Sequence, residues 1–241
     1  MKKVVKFGGS SLASAEQFQK VGSIIRSDPT RKYVVPSAPG KRFAGDAKVT
    51  DMLYKCYEAA ETGEDFSGQL AAIRERYQEI IDGLGIALSL EEEFAAIGQH
   101  FRDRAGVQYA ASRGEYLNGI IMSRYLDFPF VDAADGIVFS EDGTLDSFAT
   151  NQKLGGLLKE LEYAVIPGFY GASEDGTVHT FSRGGSDITG SLVARAMKAD
   201  LYENWTDVSG CLVTDPRVVE NPVPIDIITY KELRELSYMG A

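Results

Sequence analysis

Val4-Val5-Lys6-Phe7-Gly8-Gly9-Ser10-Ser11 is an apolar run that breaks on paired glycines, and together with the next twenty-odd residues it decides the fold. Ser14 and Gln17 have the spacing of a capping box, after which Phe18, Val21, Ile24 and Ile25 recur at helical spacing. A second apolar run covers residues 33–35. Strand, glycine turn, helix and strand make one βαβ unit, and such units build parallel sheets with helices on the faces.

Outward from this unit, residues 49–113 carry helical signals. Phe66, Leu70, Ile73, Tyr77, Ile80, Ile81 and Leu84 keep one face, and Leu90, Phe94, Ile97 and Phe101 keep another. These stripes read as core. A further helix is predicted over residues 114–126, with short strands at 130–132, 137–139, 164–167 and 178–181. A second glycine turn spans 182–187, a helix is predicted over 188–197, and strands at 201–205 and 225–228 flank a loop containing Asp215-Pro216-Arg217. A last helix is expected near Lys231. Repeats, low-complexity segments and a Pro-rich linker are absent, so one unit of two lobes is expected.

The 241 residues are 44% hydrophobic and 25% charged, the balance of a globular protein, and carry a net charge of -10. That charge repels phosphate backbones and argues against nucleic acid as a partner. Any anionic ligand needs specific Lys and Arg residues set against the general field. No run of eighteen apolar residues offers a membrane span. The glycines arrive too early for the apolar core of a signal peptide, which makes the cytoplasm the expected location. Cys56 and Cys211 lack metal-ligand spacing and read as packing thiols. His100 and His179 match no motif, and Glu91-Glu92-Glu93 reads as a solvated helix start.

Three strand ends carry polar, glycine-rich turns. Lys6-Phe7-Gly8-Gly9-Ser10 ends the first strand, where open α/β sheets gather ligands. Glycines allow close backbone approach to an anion, and Lys6 adds a full charge. The pattern is neither a Walker loop nor a dinucleotide fingerprint, and alone it also fits a plain strand-to-helix turn. Arg183-Gly184-Gly185-Ser186-Asp187 again precedes a helix, whose N-terminus favours anions. Arg183 can fork onto a carboxylate, while Asp187 also fits a simple helix-dipole partner. Trp205-Thr206-Asp207 ends a third strand. Together the three turns point to one composite site.

These segments, with Arg113-Gly114-Glu115 and Asp215-Pro216-Arg217-Val218-Val219, resemble the signature segments of aspartate kinases, in the same order and over nearly the whole chain. The resemblance implies a three-layer α/β/α sandwich with a mainly parallel central sheet, the amino-acid kinase (carbamate kinase-like) fold. A substrate lobe of about residues 1–160 and a nucleotide lobe of about 161–241 would make up the catalytic domain. It implies transfer of the γ-phosphoryl of ATP, with Mg²⁺, to the β-carboxylate of L-aspartate, giving 4-phospho-L-aspartate on the route to lysine, threonine and methionine. Lys6 and Asp187 would be catalytic, Lys6 neutralising the transferring group beside backbone donors of Gly8 and Gly9. Arg183 would bind the α-carboxylate of aspartate and Glu115 its ammonium, with Thr50, Ser37 and Ser186 nearby. Phe7, Ser10, Thr206, Asp207 and Arg217 would complete the nucleotide site. No protein metal ligand is expected, and the resemblance suggests a homodimer.

Two features depart from the family. Leu212 stands where members commonly have a nucleotide-facing tyrosine. The sequence also stops at Ala241, where members continue into a nucleotide-contacting lysine and regulatory domains. A truncated chain, without feedback inhibition, is the expectation. Two rivals stay open on residues alone: a glutamate-type amino-acid kinase, since one methylene is worth only about 1–3 kcal/mol in a pocket, and a non-catalytic nucleotide or amino-acid sensor.

Overall fold

Side chains alternate across a β-strand, so a strand buried on both faces feeds two cores at once. In the computed structural model, which describes residues 1–182, 184–206, 210, 212–214, 218–229, 231–232 and 235, the strands divide in this way. Val5, Phe7, Val34 and Val165 enter one core, while Val4, Tyr33, Val35 and Ala164 enter the other. Each fully buried Val, Leu, Ile or Phe contributes about 1.5–3 kcal/mol of transfer free energy.

In chain order the elements are β1 (Lys3–Phe7), a 3₁₀ turn (Gly9–Leu12), α1 (Ala15–Arg26) and β2 (Arg31–Pro36). Four helices come next: α2 (Val49–Thr62), α3 (Ser67–Leu84), α4 (Glu91–Arg102) and α5 (Val107–Leu126). Then come α6 (Ala133–Gly136), α7 (Ser147–Leu158), β3 (Ala164–Val165), β4 (Tyr170–Ala172), β5 (Val178–Thr180), α8 (Gly185–Ala196) and β6 (Leu201–Trp205). The central sheet has the order β3-β2-β1-β6, and all three of its pairings are parallel. Helices α1 to α5 build the first core, and α6, α7 and α8 build the second. This is the expected α/β/α sandwich. β4 and β5 form a separate antiparallel pair.

Ser14 caps α1 at the expected place, with the Gln17 N–H donating to Ser14 Oγ at 3.5 Å. Cys56 is buried, and burial pushes its thiol up to about 11, as suits a packing residue. Several expectations need correction. α5 begins at Val107, seven residues before the predicted start, so Arg113-Gly114-Glu115 lies inside a helix. Residues 130–132 supply only an isolated bridge, Phe130 to Val165, because Asp132 turns away to cap α6 with its carboxylate. Residues 137–139 likewise make isolated bridges. α7 and β4 went unpredicted.

The chain divides into two units, Met1–Trp205 and Thr206–Ala241. In the second, Leu212 bridges Pro224, and residues 225–228 are not a strand. Pro224 lacks an N–H to continue a ladder, and Ile227 is 91% exposed. Lys231 and Glu232 are helical as expected. Thr229 and Glu232 form a capping box: the Thr229 N–H donates to Glu232 Oε2 at 2.9 Å, and the Glu232 N–H to Thr229 Oγ1 at 3.3 Å. Among the described residues, no helix is long and apolar enough to cross a membrane.

Candidate active site

β1 has β2 on one side and β6 on the other, so the winding of the sheet reverses at β1. Ligands of open α/β sheets bind outside the carboxyl ends of the strands at such a reversal. That point carries Lys6, Phe7, Gly8 and Gly9. The Phe7 side chain faces the core, 6.0 Å from the Trp205 ring centroid in a stacked pair, so only its backbone is available to a ligand. The Gly8 N–H already donates to the Trp205 carbonyl at 3.2 Å, which removes Gly8 from the expected backbone donors. Ser10 is exposed at the turn.

Gly9 is where the turn needs its missing side chain. An added Cβ would stand 2.7 Å from the Ala38 carbonyl oxygen, and one on Gly40 would stand 2.7 Å from the Gly9 carbonyl carbon. The two glycines let the turn and the loop after β2 meet backbone to backbone, closed by the Gly40 N–H donating to Gly9 O at 2.8 Å. Gly9→Ala is therefore expected to push them apart at a cost of about 1–3 kcal/mol. Nucleotide affinity should fall with it. Trp205, the sole tryptophan, adjoins the turn, and its fluorescence reports the titration. Unchanged ADP affinity and melting temperature would show that the contact is not needed.

The second turn reaches the same point from α8. Gly184, at φ +57, takes the left-handed cap conformation that glycine adopts without strain. Asp187 lies in the first helical turn, where its carboxylate meets Lys6 Nζ at 2.7 Å. Lys6 is buried, while the Asp187 side chain remains 44% exposed. The pair thus has a solvent-facing side. Beneath it, the Tyr202 hydroxyl donates to the Asp187 carbonyl at 3.3 Å, and burial, then Asp187, raises that phenol. Ser186 is buried against Gly168, where an added Cβ would stand 2.5 Å from Ser186 Oγ.

The middle of α5 supplies the rest. Glu115 is 6% exposed, and its Oε2 has no hydrogen-bond partner. Burial pushes its carboxyl up to about 8, opposed by the Ala38 backbone N–H. Its Oε2 is left for a cationic or donating partner, which would favour the ionised form. Three residues on, fully buried Asn118 donates from Nδ2 to Ser37 O at 2.7 Å and leaves Oδ1 unpartnered. Ser37 in turn donates its N–H to Phe7 O at 3.1 Å. Gly114 holds α5 close to this loop, since an added Cβ would stand 2.8 Å from Ala38 Cβ and 3.8 Å from Thr50 Oγ1. Arg113 is buried among the rings of Tyr109, Tyr116 and Tyr170, at 4.6, 4.4 and 5.3 Å from their centroids.

Within the first unit, the fold thus joins Lys6 to Asp187, and links Ser37, Thr50 and Glu115 through α5 and the loop after β2. Asn118 was missed, because a lone Asn within a helical pattern gives no signal of its distant partner Ser37. Arg183, Asp207, Arg217 and Cys211 lie outside the described residues, and Thr206 opens the second unit. A cavity of about 660 Å³ lined by Phe66, Leu70, Arg74, Phe94, Gly98 and Arg102 among others holds none of the candidate side chains. Strand ends, not that cavity, define the site. Among the described residues, no three His, Cys, Asp or Glu side chains converge as a metal cage.

Known proteins share this fold. A family model described as the amino acid kinase family matches residues 1–241. Aspartokinase 3 of Bacillus subtilis is 41% identical, the match covering 99% of this chain and 56% of that protein. The crystal structure of Clostridium acetobutylicum aspartate kinase superimposes with a TM-score of 0.93 at 50% identity, over 99% of this chain and 55% of that one. That of E. coli aspartokinase III in complex with aspartate and ADP gives a TM-score of 0.83 at 28% identity, over 99% and 56%. The chain spans about half the length of the curated relatives it matches.

Proposed function

The chain belongs to the amino acid kinase family, and from that premise we propose that it transfers the γ-phosphoryl group of ATP to the β-carboxylate of L-aspartate, forming 4-phospho-L-aspartate. The observation that carries the choice of acceptor is Glu115, a buried carboxylate with an unpartnered oxygen. A free α-ammonium satisfies it, whereas an acylated amine would leave it unpaired. The names of the relatives support the same acceptor.

The acceptor carboxylate is ionised at neutral pH and needs no general base. The protein's task is to align two anions and to neutralise charge as it develops, the usual division in phosphoryl transfer. Lys6 supplies the charge at the transferring group, and Asp187 orients the Lys6 ammonium. Arg183 takes the α-carboxylate and Glu115 the ammonium. Ser37, Thr50 and Ser186 surround the acceptor. Within the first unit, Gly9 and Ser10 hold the nucleotide. A divalent ion such as Mg²⁺ would be carried in on the triphosphate, and Asp187, whose carboxylate keeps a solvent-facing side beside Lys6, is the residue that would help hold it there. When bound, the ion neutralises phosphate charge. The lobes divide near residue 160, the protein works in the cytoplasm as a homodimer, and its product leads towards lysine, threonine and methionine.

The test is ADP release with MgATP and L-aspartate, L-glutamate or no acceptor, with hydroxylamine to trap acyl phosphate. Aspartate-dependent turnover with an aspartyl hydroxamate is expected. Equal rates with glutamate would overturn the acceptor, and nucleotide binding without turnover would favour a sensor.

A further inference from the structure

Two segments of the site, the glycine turn after β1 and the loop between β2 and α2, come from opposite ends of the first βαβ unit, yet share one buried cation. Arg76, on α3, is 3% exposed. Its Nη2 donates to Gly40 O at 2.7 Å and to Ala13 O at 3.3 Å, and its Nη1 meets Asp46 Oδ2 at 2.6 Å. Ala13 closes the 3₁₀ turn that begins at Gly9. Gly40 is the residue whose backbone rests on Gly9, and Asp46 lies four residues before Thr50.

Arg42 first, and then Arg76, hold the Asp46 carboxyl well below the usual carboxylate range, so it stays ionised against Arg76. A guanidinium is the one side chain that can serve two carbonyls and a carboxylate in a fixed planar fork. α3 is itself held against the turn region, because Gly83 packs where an added Cβ would stand 2.5 Å from Ala15 Cβ.

We propose that Arg76 is a positioning residue that fixes the turn at Gly9 to the loop carrying Ser37, Gly40 and Asp46, and so sets the distance between nucleotide and acceptor. The inference rests on the kinase reading above for its catalytic consequence, but not for the clamp itself. Arg76 is 3% exposed and its guanidinium is turned onto Gly40, Ala13 and Asp46, so its loss should impair alignment more than the binding of either substrate. Misplacement by about 1 Å is enough to cost on the order of 10²-fold in rate.

The experiment compares Arg76→Met and Arg76→Lys with wild type. Amide hydrogen exchange at Gly40, whose N–H is bonded to Gly9 O at 2.8 Å, reads the clamp without any turnover. In Arg76→Met, exchange at Gly40 should accelerate about tenfold or more while Val34 and Val35 in β2 keep their protection. Aspartate-dependent kcat should fall about 10–100-fold, with KM for both substrates within about threefold. Arg76→Lys, which keeps the charge but not the fork, should recover part of both. If Arg76→Met does not fold, Asp46→Asn carries the same test with smaller shifts. Unchanged Gly40 exchange, or unchanged kcat once the protection of Gly40 is lost, overturns the proposal. Should the wild type show no turnover with any acceptor, the kinase reading fails and the exchange result alone decides the clamp.

Discussion

Lys6→Met is expected to lower kcat for aspartate-dependent ADP release by about 10²–10³-fold, the usual cost of removing one preorganised group that stabilises transition-state charge. Lys6 stands at the carboxyl end of the strand where the sheet reverses, buried and 2.7 Å from Asp187. Methionine preserves most of the side-chain volume and removes only the charge. Asp187 is 44% exposed, so water can solvate the carboxylate that Lys6 leaves behind. The variant should therefore fold and melt close to wild type. Its KM for MgATP should rise far less than kcat falls, because ground-state phosphate also meets the helix end and the turn. Single-turnover quench with labelled ATP separates the steps. A variant with normal kcat and a raised KM would reduce Lys6 to a binding residue.

That position was legible from sequence because everything that defines it is local. A strand, two glycines, a capping box and a helical stripe lie within thirty residues, and each local preference agrees with the fold. Glu115 was legible only in part. Its motif was recognised, but Arg113-Gly114 read as a helix start because glycine and arginine break the apolar stripe. In the fold α5 starts just after Gly106, whose φ of +97 suits only glycine, and Gly114 lies inside the helix because Ala38 leaves no room for a side chain. Arg76 was invisible for the same reason that hid Asn118. It reads as one more charge on the polar face of α3, and its partners Ala13 and Gly40 are 63 and 36 residues away. Residues 225–228 show the opposite error. Their apolar pattern is right for a strand, but Pro224 has no N–H to carry a ladder on from its bridge with Leu212.

The buried carboxylate of Glu115 makes the second large effect one of pH. Burial pushes Glu115 up to about 8, so the free protein holds it protonated at neutrality. A bound ammonium favours the ionised form, so acceptor binding must expel that proton. The apparent KM for aspartate should then fall about tenfold per pH unit up to pH 8 and level off above it, while kcat changes little. Stability should run the other way in the absence of substrate. Between the ordinary carboxyl value and 8, the folded state holds a proton that the unfolded state has released. Its stability therefore falls as pH rises through that window, and saturating aspartate should restore it. Glu115→Gln removes the ionisation altogether. It should flatten both profiles and raise the KM for aspartate by roughly 10²-fold, the scale expected when a buried ammonium loses its counter-charge. Initial rates from pH 6 to 9, with thermal melts over the same range, test the pair of trends together. A flat KM profile in the wild type, or a Glu115→Gln variant that takes aspartate as well as the parent, would mean that the ammonium is bound elsewhere and that Glu115 is a protonated structural group.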